Sequence, residues 1–344
     1  MKQEIIDKIN RLASQDEPFL FVINYQGDKA FIRQLSDINP DECLFDFEGR
    51  GNSSDEMKNN SEKIAEISWQ IAPPLYEDYE RSFDIVKNNI MAGNSYLTNL
   101  TCKVPVSCNL SLEDIFHRAK GKYKLLLRRS ESINPFVCFS PETFVRIKGG
   151  RIYSYPMKGT LDASLPDAEK QLMEDRKEAA EHATIVDLIR NDLSRVAENV
   201  RVDKYRYIDV LHTNKGDILQ TSSEISGRLP EDYPHHLGEI LDAQLPAGSI
   251  TGAPKDKTMQ IIQEAEGYDR GFYTGIMGIY DQGELNSAVM IRFVEEEASP
   301  SKTEKGKNSE VSRELYFKAG GGITSKSDCW REYEEVIQKI YLPI

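Results

Sequence analysis

Short strand-like runs, separated by turn residues and single helices, constrain the fold of this 344-residue chain more than any other feature. Residues 19–23 and 29–35 are two such runs, and Asn24, Gly27 and Asp28 between them are typical turn residues. Further runs occur at 136–139, 144–147, 151–155, 275–280, 287–294 and 315–319. Because several of these runs form hairpin-like pairs, the pattern predicts an α+β protein with mainly antiparallel sheets.

Two segments have the periodicity of helices. Tyr79, Phe83, Val86 and Ile90 fall on one helical face, and Gly93 follows as a C-terminal cap. Residues 167–196 are also helical in pattern, and a segment of this length is expected to bend or break near its middle.

Two polar stretches lack the apolar residues that a core needs. Residues 48–62 are expected to form a loop that is partly disordered. Residues 295–314 contain the string EEEASPSKTEKGKNSE, which predicts a long hairpin loop without a catalytic function.

Charge and cysteine content argue against several classes of function. The net charge of −13 disfavours nucleic acid or an anionic membrane as partner, and it requires a local basic pocket for any anionic substrate. The five cysteines form no close CxxC pair, so we expect buried or free thiols rather than a disulfide framework or zinc site. The absence of a signal-peptide core and of membrane-spanning apolar runs favours a cytoplasmic location.

The most informative single residue is Lys158, in the string Pro156-Met157-Lys158-Gly159-Thr160. It follows a strand-like run and precedes a glycine, which allows the backbone to approach a ligand closely. A lysine amine is nucleophilic only when it is neutral, and burial or a nearby cation lowers its pKa accordingly. From the string alone, a solvated lysine at a turn is the alternative.

Two pairs of glutamates have a spacing of three residues, so each pair shares one face of a helix. The pairs are Glu178 with Glu181 and Glu332 with Glu335. Carboxylate oxygens with open positions for water and a substrate carboxylate are typical of a magnesium site, whereas isolated acidic pairs are ordinarily solvated.

The PMKGT string that contains Lys158 is one of a series of motifs along the chain. In order, they are SYLTNLT (95–101), SPE (140–142), PMKGT (156–160), DLIRNDLSRV (187–196), GSITGAPK (248–255), YTGIMGIYD (273–281), Ile291-Arg292, AGGGI (319–323) and REYEEV (331–336). The order and spacing resemble the chorismate-utilising enzymes, which include anthranilate synthase component I, aminodeoxychorismate synthase component I and the isochorismate and salicylate synthases. The resemblance covers about residues 75–342.

The resemblance implies two large, packed, mainly antiparallel β-sheets with helices outside and the active site between the sheets. It also implies a short β-rich N-terminal part, residues 1–75, packed on a chorismate-binding catalytic domain, residues 76–344. Members that bind tryptophan have a longer N-terminal region, so we expect no equivalent regulatory pocket.

Catalytic roles follow from the same resemblance. Glu142 matches the general acid that protonates the departing ring hydroxyl, and Lys158 matches the nucleophile that forms a covalent adduct with the ring. The two glutamate pairs would bind Mg²⁺, chiefly through Glu181 and Glu335.

Substrate recognition is implied for a further set of residues. Arg292, in the strand-like run 287–294, would grip a carboxylate with its guanidinium. Three successive glycines would offer amide donors to the other carboxylate, as in a nest. These glycines and the remaining substrate contacts are Gly320, Gly321, Gly322, Ser249, Thr251, Gly252 and Tyr273.

Lysine at position 158 is typical of the aminodeoxychorismate synthase branch, whereas most of the family has alanine there. The resemblance therefore predicts conversion of chorismate and ammonia to 4-amino-4-deoxychorismate, on the p-aminobenzoate branch of folate biosynthesis. A separate PabA-type glutamine amidotransferase subunit would supply the ammonia, because no glutaminase Cys-His-Glu pattern occurs here. Anthranilate synthase component I or another chorismate-converting enzyme is the alternative. Gln220 stands where many relatives have a histidine, and glutamine cannot carry a proton.

Overall fold

A computed structural model describes residues 1–53, 66–128, 133–213, 216–299 and 312–344. Its α-helices are α1 (Gln3–Ser14), α2 (Tyr76–Met91), α3 (Leu112–Arg118), α4 (Ala168–Glu174), α5 (Arg176–Leu193), α6 (Leu237–Gln244), α7 (Lys255–Glu266) and α8 (Cys329–Gln338). Short 3-10 helices span Leu35–Asp37, Tyr233–His236 and Gly248–Ile250. The strands are β1 (Phe19–Ile23), β2 (Ala30–Gln34), β3 (Cys43–Phe47), β4 (Arg50–Gly51), β5 (Trp69–Ile71), β6 (Leu97–Cys108), β7 (Tyr123–Leu127), β8 (Phe136–Ser140), β9 (Thr143–Lys148), β10 (Arg151–Ser154), β11 (Met157–Asp162), β12 (Glu198–Thr213), β13 (Gly216–Arg228), β14 (Gly252–Ala253), β15 (Ile276–Asp281), β16 (Glu284–Val289), β17 (Phe293–Ser299) and β18 (Ser312–Thr324).

Contacts between residues divide the chain into two compact units, each built from several segments. Unit 1 comprises Met1–Ser36, Thr143–Lys255 and Arg270–Val289, and unit 2 comprises Asp37–Glu142, Asp256–Asp269 and Met290–Ile344. Residues of the segment 1–75 occur in both units, and the division of the sequence at residue 75 stays a prediction.

Unit 1 contains one large antiparallel sheet in the order β11-β13-β10-β9-β16-β15-β1-β2, with β12 also paired to β13. All five residues of β1 are buried, as an apolar central strand predicts. The order places β11, the strand of Lys158, directly beside β13. The string around Gln220 therefore lies next to the proposed nucleophile, with Gln220 opposite Thr160.

Unit 2 contains the second large antiparallel sheet, in which β6, β18, β17, β8, β7, β3 and β4 follow one another and β5 pairs with β6. Its core joins the apolar faces of α2, α3 and α8 to one side of the sheet. Val336 of α8 lies in this core, together with Leu100 of β6 and Phe317 of β18. Helix α8, which carries Glu332 and Glu335, is thereby fixed to the glycine-rich strand β18.

The predicted α+β architecture with two large antiparallel sheets is confirmed, and so are the two helical predictions. Helix α2 buries the four residues of its predicted face, and Gly93 follows with a φ of +79°. The segment 167–196 breaks into α4 and α5 at Asp175, whose side chain caps α5.

Other sequence predictions were wrong or incomplete. Residues 295–299 and 312–314 were expected in a loop, but they extend β17 and β18, which pair as far as Ser299 opposite Ser312. Residues 300–311 and 54–62 of the two polar stretches lie outside the described residues. The amphipathic helix α1 was not predicted, although it buries Ile5, Ile9 and Leu12 along one face.

Two expectations about whole-chain properties can be compared with the structure. All five cysteines are free thiols, as expected. No helix in the described ranges is long and apolar enough to cross a membrane.

Candidate active site

The predicted site residues are divided between the two units. In unit 1 they are Lys158, Glu178, Glu181, Ser249, Thr251, Gly252 and Tyr273. In unit 2 they are Glu142, Arg292, Gly320, Gly321, Gly322, Glu332 and Glu335.

Lys158 lies at an irregular point of β11. The pairing of β11 with β13 is regular at Met157 and again at Thr160, but its register shifts between these two residues. At the irregularity, the hydroxyl of Thr221 donates a hydrogen bond to the carbonyl oxygen of Lys158. Gly159 has a φ of +85°, which few side chains tolerate. Lys158 therefore lies outside the regular ladder between the two strands.

An ion pair joins Lys158 to helix α5. Its Nζ lies 3.0 Å from Oε2 of Glu181, and the two side chains are 36% and 17% exposed. Lys177 approaches the other oxygen of Glu181 at 3.6 Å. The carboxylate favours the ammonium form of Lys158, so this lysine can act as a nucleophile only after the pairing with Glu181 is relieved.

Glu178 lies one helical turn before Glu181 and against the same part of β11. A β-carbon built at Gly159 would be 2.9 Å from Oε2 of Glu178, the movable end of that side chain, so it is the positive φ that favours glycine there. Burial raises the pKa of Glu178, and the positive charge of Lys158 opposes this shift. The structure therefore brings Lys158, Glu178 and Glu181 together.

The carboxylate pairs have the donor chemistry of a magnesium site. Mg²⁺ prefers hard oxygen ligands, and each pair presents carboxylates on one helix face. Glu181 already contacts a cation in Lys158, and Glu335 contacts Lys339 at 2.7 Å. Within the described ranges, no group of three or more histidine, cysteine, aspartate or glutamate side chains is close enough to hold a metal ion. The residues fit the ion chemically, while its binding stays a proposal.

The GSITGAPK string forms a 3-10 turn, the short strand β14 and the start of α7. Thr251 is fully buried, and its hydroxyl has no hydrogen-bond partner in the part of the chain that the structure describes. A buried hydroxyl without a partner is costly, and a bound ligand or water would satisfy it. This observation supports Thr251 as a ligand contact.

The same loop is fixed from two sides within unit 1. Lys255 Nζ lies 2.8 Å from a carboxylate oxygen of Asp192 at the end of α5, and it also donates to the carbonyl of Gln244. Buried Arg270 donates to the carbonyl of Ile250 at 2.9 Å. Tyr273 is buried in the turn before β15, where its amide donates to the carbonyl of Arg270.

Unit 2 holds the proposed acid and the proposed carboxylate grip. Glu142 lies between β8 and β9, and its amide donates to the hydroxyl of Ser140 at 3.1 Å. Arg292 was expected within one continuous strand, which is wrong: β16 ends at Val289, β17 begins at Phe293, and Arg292 has a φ of +55°. Its guanidinium lies 5.5 Å from the ring centre of Tyr341.

The predicted glycine nest does not form. Gly320, Gly321 and Gly322 lie in extended strand β18, paired with β6 opposite Thr101, Leu100 and Asn99. Successive amides of a strand point to opposite edges, so only alternate amides face away from β6. Glycine is still needed, because a β-carbon at Gly320 would lie 2.6 Å from the carbonyl oxygen of Leu100.

Helix α8 brings the second glutamate pair to this strand. Lys339, which pairs with Glu335, also donates to the carbonyl oxygen of Gly320 at 3.0 Å. The position of a β-carbon at Gly321 is 3.5 Å from Oε2 of Glu332. The structure therefore groups Glu332 and Glu335 with the glycines in unit 2.

Sequence reasoning missed two buried polar pairs near these residues. His182, which follows Glu181, is fully buried, and its Nε2 lies 2.6 Å from the hydroxyl of Ser223. Lys318, just before the glycines, is 2% exposed and lies 2.5 Å from a carboxylate oxygen of Glu295. Adjacency to Glu181 was the available signal for His182.

Comparisons with known proteins identify the family of this chain. A family model described as chorismate binding enzyme matches residues 20–343. An uncharacterized PabA-like protein of Haemophilus influenzae is 46% identical over 342 residues, which are 99% of this chain and 97% of that protein. Aminodeoxychorismate synthase component 1 of Salmonella typhimurium is 30% identical over 275 residues, which are 76% of this chain and 56% of that protein.

A solved structure has the same fold. Anthranilate synthase component I from Streptococcus pneumoniae superimposes with a TM-score of 0.64 and 25% identity, over 80% of this chain and 59% of that one. The match thus spans little more than half of each of these two named synthases. Because the family model covers nearly the whole sequence, the chain belongs to the family of chorismate-binding enzymes.

Proposed function

We propose that this chain aminates chorismate to 4-amino-4-deoxychorismate, as the synthase component of a two-subunit enzyme. The observation that carries the proposal is the position of Lys158, on an irregular strand with its amine 3.0 Å from Glu181. Both Glu181 and Glu178 interact with the charge of this lysine, so neutralisation of these carboxylates would favour the free amine that the reaction needs.

The chemistry assigned to the chain's own residues has two stages. The lone pair of the Lys158 amine forms a bond to the ring, while the bond to the ring hydroxyl breaks and Glu142 donates the proton with which it departs as water. Ammonia then forms the new carbon–nitrogen bond, and Lys158 leaves as the amine. Mg²⁺, when bound by the glutamate pairs, would neutralise a substrate carboxylate.

Substrate binding in this proposal uses both polar side chains and backbone. Arg292 would bind a carboxylate, and amides of β18 that face away from β6 would donate to the other one. The buried hydroxyl of Thr251 would gain the partner that the protein alone does not supply.

Product identification tests the proposal. The purified chain is incubated with chorismate, magnesium chloride and an ammonium salt, and the product is analysed by mass and by ring-proton NMR. We expect a product in which an amine replaces the ring hydroxyl and the enolpyruvyl ether is retained. Release of pyruvate with formation of anthranilate would favour the alternative, anthranilate synthase. A relative from Aquifex aeolicus is named anthranilate synthase component 1. Unchanged chorismate would contradict both.

The source of ammonia is tested with glutamine. The chain alone should be inert with glutamine as nitrogen donor and should become active when a PabA-type glutaminase is added. Glutamine-dependent turnover by the pure single chain would contradict the two-subunit proposal.

A further inference from the structure

Helix α5 is tied to the strands around Lys158 through two consecutive residues. Glu181 pairs with the amine of Lys158, and the next residue, His182, forms a hydrogen bond of 2.6 Å with the hydroxyl of Ser223 on β13. Both His182 and Ser223 are fully buried. The contact of Glu181 therefore involves the proposed reacting amine itself, whereas the contact of His182 joins two fully buried side chains.

Ser223 is the point where several segments meet. Its amide donates to the carbonyl of Pro156, two residues before Lys158, at 3.0 Å. Its hydroxyl accepts a hydrogen bond from the amide of Arg206 on β12, also at 3.0 Å. Ser223 therefore connects α5, β12 and the entry to β11, and its bond to His182 is the connection to the helix.

These contacts matter because the regular ladder is interrupted beside Lys158. Between Met157 and Thr160 the register of β11 against β13 shifts, so ladder hydrogen bonds do not fix this stretch alone. Ser223 holds the backbone before Lys158, and the hydroxyl of Thr221 holds the carbonyl of Lys158 itself. Strand β13 thus sets the position of the lysine backbone, and His182 sets the position of α5 relative to β13.

We propose that His182 is a positioning residue, which holds helix α5, and with it Glu178 and Glu181, against the strand turn of Lys158 through its hydrogen bond to Ser223. This positioning role rests on the proposed function, because it takes Lys158 as the reacting group. His182 itself makes no contact with substrate in this account. A displacement of reacting groups by about 1 Å can lower a rate about a hundredfold, so a single buried hydrogen bond is sufficient for a measurable effect.

A matched pair of serine variants separates positioning from general stability. Ser223→Ala removes the bond to His182. Ser287→Ala removes another fully buried serine hydroxyl, which donates to the carbonyl of Val145 at 2.6 Å in the same sheet. We expect Ser223→Ala to lower kcat about tenfold or more with little change in KM for chorismate, and Ser287→Ala to keep kcat within about twofold of the parent. Equal kcat values in the two variants would overturn the inference.

Variants of the histidine give a second, independent comparison. His182→Gln keeps a side chain that can hydrogen-bond to Ser223, whereas His182→Leu does not. We expect the glutamine variant to retain most of kcat and the leucine variant to lose about as much as Ser223→Ala. The double variant with His182→Leu and Ser223→Ala should be no worse than Ser223→Ala alone, because Ser223→Ala already removes the bond to His182 together with the bond from the amide of Arg206. Additive losses would contradict the proposed pathway.

A measurement without substrate distinguishes failure of this inference from failure of the proposed function. Amide hydrogen exchange, followed by mass spectrometry, reports the protection of the segment 156–162. Faster exchange there in Ser223→Ala and His182→Leu, but not in Ser287→Ala, would support the positioning role even if the parent did not aminate chorismate. Unchanged exchange in both variants would overturn the role whatever the activity.

Discussion

The ion pair between Lys255 and Asp192 illustrates what one buried contact contributes to this site. It connects the end of α5 to the start of α7, and the two side chains are 12% and 10% exposed. Burial raises the pKa of Asp192 and lowers that of Lys255, while the attraction between the two charges opposes both shifts. The attraction within the pair therefore offsets part of the cost of burying each charge.

Removing one partner of this pair should be strongly destabilising. We predict that Lys255→Met lowers the free energy of unfolding by about 3 to 5 kcal/mol, because Asp192 would be left buried without its cation. Urea unfolding followed by circular dichroism measures the change. Arg190→Met is the control: its partner Asp187 is 62% exposed, and the loss should be below about 1 kcal/mol. Equal losses in the two variants would contradict the account of the buried pair.

Among the elements, α5 carries both site glutamates of unit 1, and its start is well defined. The carboxylate of Asp175 accepts a hydrogen bond of 2.9 Å from the amide of Glu178, which fixes the first turn that carries this glutamate. We predict that Asp175→Ala destabilises the protein by about 1 kcal/mol in urea unfolding. Asp175→Asn, which still caps, should lose much less, and an equally large loss in that variant would show that the cap is not the cause.

Sequence patterns predicted elements where apolar periodicity was clear. The four buried residues of α2 are such a case, since helical spacing is a local property. The length of the segment 167–196 predicted a bend or break near its middle, and the structure places the break earlier, at Asp175. The extension of β17 to Ser299 was missed because its glutamates have no apolar alternation. The break at Arg292 was missed as well: the string from Ser287 to Val294 resembles one strand, although the chain passes there from one sheet to the other.

The site was predictable to a similar extent. Helical spacing placed Glu178 and Glu181 on one face, and in the structure both lie against the turn of Lys158, which the spacing alone did not indicate. The extended form of Gly320 and its neighbours could not be predicted, because three glycines permit a strand as readily as a nest. The bond between His182 and Ser223 joins residues far apart in sequence, and no local pattern indicates such a contact.

At the scale of the whole molecule, the proposed activity requires Mg²⁺ as well as Lys158. We predict that Glu181→Gln raises the magnesium concentration needed for half-maximal activity by tenfold or more, since a neutral amide is a much weaker ligand than a carboxylate. Glu174→Gln, on the neighbouring helix α4, is the control and should titrate like the parent. A parent-like curve for Glu181→Gln would remove this residue from the proposed metal site.

The most direct test of the central claim is the intact mass of the protein after reaction with chorismate and magnesium in the absence of ammonia. If Lys158 attacks the ring, a species heavier by one chorismate less one water should appear, and peptide mapping should place the added mass on Lys158. Addition of an ammonium salt should then discharge the adduct, and Lys158→Ala should never form it. Amination of chorismate by the Lys158→Ala variant at the rate of the parent would contradict the account.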